Sequence, residues 1–452
     1  MDVRTLTPVI GAGVRSQQVD QGHPIRGETV RGHLRFWWRT VSRGGPLDEW
    51  IEKRLQAERG GRADVRLAAF DSVKRLRLRE AAVWGSSSQA GLVTVQVQST
   101  IERCKNVRQG SIRDVVSHLG RAMGLDQVNK VSPIGYAAFP LQPNRGDSKD
   151  ARSEVFMGRF TVRIDWTPWA RHLCEHVKDQ VEQEVREALW RWVHLGGIGM
   201  RWRRGFGALT VDDIPRSLDE IAKHLADHQP EGLPAVRAVL VVKDKTRHAP
   251  KQGKLNSDVW EVWEHCIRPL QRYRQLREPK KNGRTGYTKT RWPEANIIRA
   301  LARGEKVNQE KLRVPRALLG LPVNFHFQRE STPDAELRPE KDPGSLLGRF
   351  PSPFILRPVL VGSSVYPMCV WLESPLTDDQ KDGFVCMSLK VGDHVISVPP
   401  KAALRKREDR LAVLEAQSEN SPQFEYAEDP LADFLRHLKS QGFGVIYPRN
   451  AT

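Results

Sequence analysis

Leu173, Val177, Val181, Val185, Leu189 and Val193 fall at every fourth position and stop at Gly196 and Gly197. That period marks one buried face of a long helix, closed by the residue type that commonly ends helices. A strand at 208–211 follows, so the chain passes from helix to strand through a glycine-rich loop, 196–207. The C-terminus repeats this grammar: an apolar-periodic stretch over 430–439, then SQGFG, then the strand VIY. Gly-Phe-Gly stands in both places, at 205–207 and 442–444, which suggests two copies of one module. Apolar alternation in LVTVQVQS (92–99) and GRFTVRIDW (158–166) reads as two half-buried strands. The mixture is α+β, and 452 residues suffice for two or three domains. A boundary is expected near 226–234, giving modules at 1–228 and 229–452, the second with a basic insertion at about 243–292.

Residues 24–39, PIRGETVRGHLRFWWR, join a glycine-flanked turn to an amphipathic helix. Val30, Leu34, Trp37, Trp38 and Val41 keep the period of a buried stripe. Arg31, Arg35 and Arg39 stand one above the other at four-residue spacing, with Arg26 at the start. Guanidinium forks match phosphate oxygens, so the row is suited to a nucleic-acid backbone. An ordinary solvated charged face has the same pattern.

Lysine and arginine number 72 against 54 acids, a formal net charge of +18. That excess is the electrostatic footprint of a nucleic-acid binder. No apolar run approaches the roughly 18 residues of a spanning helix, and no leader pattern opens the chain; a cytoplasmic protein without a membrane partner is expected. Five scattered cysteines with no CxxC pair argue against a disulfide framework or a zinc ribbon.

Charge is densest over 268–291, with nine lysines or arginines and one acid, Glu278. Lys280, Lys281, Arg284, Lys289 and Arg291 interleave there with Tyr273 and Tyr287, and Trp292 follows. Cations supply phosphate attraction and aromatics a stacking surface for single-stranded RNA; a basic insertion without a specific role is the alternative. Tyr287 and Trp292 are the candidate stacking residues, and Trp292 also opens WPEANIIRAL, a helix start in which it would be buried. In the loop 196–207, Arg201, Trp202, Arg203 and Arg204 accompany glycines at 196, 197, 199, 205 and 207. The glycines either let a sugar-phosphate chain approach closely or merely permit a crossing of the chain. The loop follows a helix, so attraction must come from the arginines and backbone N–H groups rather than from a helix N-terminus.

These residues carry a resemblance. TPVIGAG (7–13), residues 24–39 and GGIGMRWRRGFGAL (196–209) resemble the RAMP superfamily of CRISPR-associated RNA-binding proteins. EAAVWGS (80–86), GRTGYTKTRWPEANIIRAL (283–301), LLGLPVNFHF (318–327) and RFPSPFILRPVLVG (349–362) resemble its branch formed by the first-numbered subunits of type III-B (Cmr) effector complexes. The resemblance implies ferredoxin-like modules in tandem. It also implies a non-catalytic subunit at the guide RNA 3′ end, holding guide RNA (crRNA) and target RNA beside other RAMP subunits in antiviral defence. The alternative is a RAMP endoribonuclease that processes guide precursors by metal-independent acid-base chemistry, with a His or Tyr carrying the proton.

Neither a cofactor nor a metal is expected. HLCEH (172–176) matches an inverted zincin string, but no further ligand is evident and such short matches arise by chance. His33 lies on the apolar side of its helix and reads as a hydrogen-bonded core residue rather than a general base. Asp20 occupies the loop where repeated backbone subunits of these complexes carry a cleaving aspartate; the resemblance implies that it does not cut here.

Overall fold

The computed structural model of the chain describes residues 1–11, 18–58, 60, 66–108, 111–141, 152–228, 236–243, 255–275, 277–279, 287–290, 292–327, 332–342, 345–346, 349–372, 386–404, 408–416 and 429–448. The fold is α+β. The first module contains β1 (Asp2–Thr5), β2 (Val9–Ile10), α1 (Gly27–Trp38), α2 (Pro46–Glu58), α3 (Ser72–Trp84), β3 (Val93–Arg108), α4 (Ile112–Ala122), α5 (Ile134–Ala137), β4 (Arg152–Trp166), α6 (Glu175–Leu195) and β5 (Leu209–Val211). Its sheet runs β3-β4-β1-β5, with β2 also on β4, and every one of these pairs is antiparallel. Taking β1, α1, β3, β4, α6 and β5 in turn gives the β-α-β-β-α-β order of a ferredoxin-like module.

The rest of the chain forms α7 (Leu218–Asp227), β6 (Val236–Val242), α8 (Leu255–Gln275), β7 (Arg277–Pro279), β8 (Tyr287–Thr290), α9 (Glu294–Ala302), β9 (Val323–Phe325), β10 (Ala335–Asp342), β11 (Ser345–Leu346), β12 (Phe354–Val361), β13 (Ser364–Leu372), β14 (Cys386–Val391), β15 (His394–Val398), α10 (Arg410–Glu415), α11 (Pro430–Ser440) and β16 (Phe443–Tyr447). The sheet β12-β13-β6-β16 repeats the first topology, with α8 and α11 as the crossover helices. Two insertions, between α8 and β12 and between β13 and α11, build a further sheet, β11-β10-β14-β15 with β9 on β10.

Two compact units result: Met1–Ile267 with Ile355–Val370 and Ile446–Thr452, and Arg268–Phe354 with Trp371–Val445. The expected boundary at 228/229 adjoins residues outside the described ones; the compact units are a different division of the chain, which passes between them at 267/268, 354/355, 370/371 and 445/446. The insertions account for that division, because the last turns of α8 and the whole of α11 fall in the second unit with them. There Tyr273 is 1% exposed and donates its hydroxyl to Asp433 Oδ2 at 2.7 Å, with the Phe434 ring 5.1 Å away.

The first unit buries one side chain that no periodicity announces. All eight residues of β12, FILRPVLV, are buried, Arg357 among them. Pro358 is tolerated because β12 is an edge strand. The Arg357 guanidinium donates to the carbonyl oxygens of Val193 at 2.7 Å, Leu209 at 2.7 Å, Pro358 at 2.9 Å and, in a short bond, Gly196. Burial pushes its pKa down to about 9, which leaves it charged at neutral pH. It thus caps the C-terminal end of α6, whose last carbonyls have no helical donor.

Each buried carbonyl stripped of its donor costs ~1–3 kcal/mol. Arg357→Met is therefore expected to lower the unfolding free energy by about 3 kcal/mol or more. Urea denaturation of the two proteins measures this; an unchanged midpoint would show that the cap is dispensable.

Candidate nucleic-acid interface

The arginines of α1 do not share one environment. Arg31 is exposed and Arg26, the N-cap residue, is half-buried. Arg35 and Arg39 converge on Glu80 of α3, which is 4% exposed. Arg35 donates Nε–H to Oε1 at 2.6 Å, and Arg39 donates to Oε2 at 2.6 Å and to Oε1 at 2.7 Å. Burial alone raises the Glu80 carboxyl pKa, but the hydrogen bonds and charges of Arg39 and Arg35 outweigh it and hold the group below its usual value.

The expected uniform row is thus corrected to one open arginine and a clamp of two on an acid from another helix. Spacing along α1 orders its own side chains and says nothing of what α3 brings beside them. Two guanidiniums around one carboxylate still leave net positive charge, and their side chains remain 32% and 38% exposed. The sequence reading missed what α3 adds, exposed Lys74 and Arg77 and half-buried Arg75. The single acid after Arg75, Arg77 and Arg79 in the string KRLRLREAAVW was the available signal. Arg79 itself is taken up by Asp48 of α2, with Nε 2.5 Å from Oδ1.

The loop 196–207 packs on α1. The Trp202 ring meets His33 and Phe36 at 5.7 Å each and Trp37 at 6.3 Å. Arg203 lies over the Phe36 and Trp202 rings at 5.2 and 5.1 Å, and burial pushes its pKa down to about 10, still charged at neutral pH. Arg201 adopts φ 61°, an uncommon left-handed conformation for a non-glycine residue, and donates Nε–H to the Ala137 carbonyl of α5 at 3.0 Å. Arg204 is buried and donates to the Arg203 carbonyl at 3.0 Å.

Protein atoms occupy the space that the loop glycines leave. A Cβ on Gly196 would sit 2.5 Å from Trp37 Nε1, and one on Gly207, at φ 56°, 2.0 Å from the Ile198 oxygen. Close passage against Trp37 of α1 explains Gly196, and closure of the loop onto its own Ile198 backbone explains Gly207, so at these two positions the crossing of the chain is the reading that holds. Arg201, Trp202 and Arg203 stay half-buried at the surface, whereas Arg204 turns inward.

The basic stretch is not one loop. Residues 268–275 complete α8, and β7 and β8 pair as an antiparallel ribbon. Lys280, Lys281, Arg284 and Arg291 lie outside the described residues, as do the side chains of Tyr287 and Lys289. Trp292 is 1% exposed and donates Nε1–H to the Arg274 carbonyl at 3.0 Å. It is a core residue, so its candidacy as a stacking surface falls.

The catalytic lookalikes have structural engagements. In HLCEH, Cys174 is the extended N-cap of α6, so His172 and His176 share no helical face. Asp20 Oδ1 accepts from the backbone N–H groups of His23 and Gly22 at 3.0 Å each, and the His23 bond leads the causes that hold its carboxyl below the usual range. His33 stacks on Trp192 at 6.2 Å, and burial pushes its pKa down to about 4.

Residues 2–210, almost the whole of the first ferredoxin-like module, match the family model described as the RAMP superfamily. This segment belongs to the RAMP superfamily. No curated protein matches the chain. Among solved structures, the chain is similar to Cmr1 from Pyrococcus furiosus in its apo form, at 15% identity and TM-score 0.39, covering 88% of this chain and 98% of that one. It is also similar to a chain of the type III-B Cmr-beta complex bound to cognate target RNA, at 12% identity and TM-score 0.38, covering 83% and 94%. Among the described residues of this RAMP-containing chain, no helix is long and apolar enough to cross a membrane.

The RAMP segment contains two histidines that burial keeps neutral: His33, and His194, whose pKa burial and then the Arg357 charge push to about 3. An unfolded chain protonates both near pH 6.5. Their contribution is therefore complete above about pH 6.5, is lost as the pH falls, and levels off below the folded values. Melting temperature should drop between about pH 7 and pH 5, above the carboxylate range. In His33→Phe that drop should be shallower; an identical slope would show that His33 is not held neutral.

Proposed function

We propose that the chain is a non-catalytic RNA-binding subunit of a type III-B CRISPR effector. It sits at the guide RNA 3′ end and holds guide and target RNA while neighbouring RAMP subunits cut. The observation that carries this reading is the arginine-bearing α1–α3 surface inside the RAMP segment, on a chain of net charge +18. The strings at 80–86, 283–301, 318–327 and 349–362 support the type III-B branch. Placing Asp20 in a turn and His33 among tryptophans supports a binding role over an acid-base one.

Phosphate contacts act through counterion release, each adding roughly 0.7 to the salt slope of single-strand binding. Arg31→Ala should therefore weaken RNA binding across sequences and lower that slope by about 0.7 while leaving the melting temperature in place. Arg35→Ala or Arg39→Ala should also lower the melting temperature, because Glu80 then loses a partner. Gel shifts at several salt concentrations, beside thermal melts, separate the two effects. A slope unchanged in folded Arg31→Ala removes that contact.

Incubating the purified chain with repeat RNA in EDTA should give binding without cleavage, and cleavage would transfer the assignment to the endoribonuclease reading. In a reconstituted complex, Asp20→Ala should leave every target cleavage site intact.

A further inference from the structure

Away from the arginine surface, α6 and the end of α7 bring Glu187, His224 and His228 together. One carboxylate oxygen or ring nitrogen from each lies within 4.8 Å of the others. We propose that these three residues bind a zinc-like divalent cation that ties α6 to α7. The inference does not rest on the RNA reading.

Glu187 is 6% exposed and already oriented. Its Oε1 accepts Nε–H of Arg191 at 2.6 Å, and Arg191, fully buried, also donates to the Thr40 carbonyl at 3.2 Å. That leaves Oε2 as the ligand atom, 2.6 Å from His224 Nε2. Burial raises the Glu187 carboxyl pKa, but His224 and Arg191 outweigh it and keep the group below its usual value, hence anionic. His228 Nδ1 lies 2.9 Å from the His224 carbonyl oxygen, which can only accept. The proton therefore sits on Nδ1 and the lone pair on Nε2, the outer-shell arrangement that orients metal-binding imidazoles.

The two histidines stand four residues apart, and the rings of Trp190, His224 and His228 stack in sequence at 3.7 and 4.4 Å. A cavity of about 500 Å³ opens on the trio, with Asp179, Glu182 and Gln183 also on its wall. An ion therefore has an approach, and solvent reaches the trio from this side. Two neutral imidazoles and one carboxylate suit zinc over magnesium or calcium, which prefer oxygen. Ligand distances of about 2.0–2.2 Å require His224 to withdraw from Oε2, and the Nε2 proton it donates there in the metal-free chain must be released to solvent or moved to Nδ1 as the ion binds. With side chains 26% and 31% exposed, His224 and His228 have room to move.

The test is to strip the full chain with a chelator and titrate it with Co²⁺, then Zn²⁺. One equivalent of Co²⁺ should give the visible absorption of a low-coordinate site. Zn²⁺ should displace it and raise the melting temperature. His228→Phe preserves the ring stack and removes the ligand; it should bind Zn²⁺ at least ~10-fold more weakly, no less than an outer-shell loss costs. It should melt like the wild type in chelator. Glu187→Gln should also bind Zn²⁺ more weakly, but it takes the carboxylate from buried Arg191 and should melt lower even in chelator; if it fails to fold, His228→Phe and His224→Phe carry the test. A Co²⁺ spectrum like that of the aqueous ion, or equal Zn²⁺ affinity in wild type and His228→Phe, overturns the proposal and leaves a histidine–carboxylate pair.

Discussion

The first unit is organised around a guanidinium placed where its sequence neighbours are apolar. Taking Arg357 out of water is costly, and the interior repays this only through well-made hydrogen bonds. The partially negative end of α6 supplies them, together with carbonyls of β5 and of β12 itself. Once that fork is set, the end of α6, the start of β5 and the edge strand β12 are fixed to one another. Gly196 is then held by its carbonyl on one side and by Trp37 on the other. The exit direction of the glycine-rich loop is therefore decided by an arginine more than a hundred residues downstream.

That exit direction places Trp202 against α1. The helix is thereby held on its inner side, where Val30, Leu34, Trp37 and Trp38 are fully buried, and leaves its arginines on the other. Glu80 then pins Arg35 and Arg39 at the surface. Under the proposed RNA-binding role, fixing long cationic side chains beforehand would reduce the rotamer entropy lost on meeting a phosphate. The acid lowers the net charge of the patch and in exchange orders it, an arrangement suited to holding a backbone in a set register.

Period and alternation made the fold legible. The four-residue repeat before Gly196 is α6, the alternating strings are parts of β3 and β4, and the repeated helix–glycine–strand grammar marks two ferredoxin-like topologies. Such patterns are local, each written along one element. What they could not show depends on pairs distant in the chain. Arg35 spaced like Arg31 yet bound to Glu80, Arg357 inside a quoted string without a visible role, and Glu187 facing His224 are all of this kind. The two compact units were illegible for the same reason, since insertions divide a core without altering any local period. Trp292 was readable both ways, and its helix-opening position was the better guide because apolar spacing after it left one face to bury.

The two copies of the module differ where charge could be displayed. In the first, residues 196–208 separate α6 from β5 and include three arginines. In the second, only Gln441 and Gly442 stand between α11 and β16, with Gly442 at φ 88° to make the turn. A link that short has no length from which to present side chains, so the equivalent position in the second topology is closed as a binding loop. The shared Gly-Phe-Gly therefore marks common geometry rather than common chemistry. In the first copy it ends a loop shaped to pack beneath α1, and in the second it leads directly into a strand. The densest cationic stretch of the second half lies elsewhere, beginning on the last turns of α8 and running into the insertion that follows it.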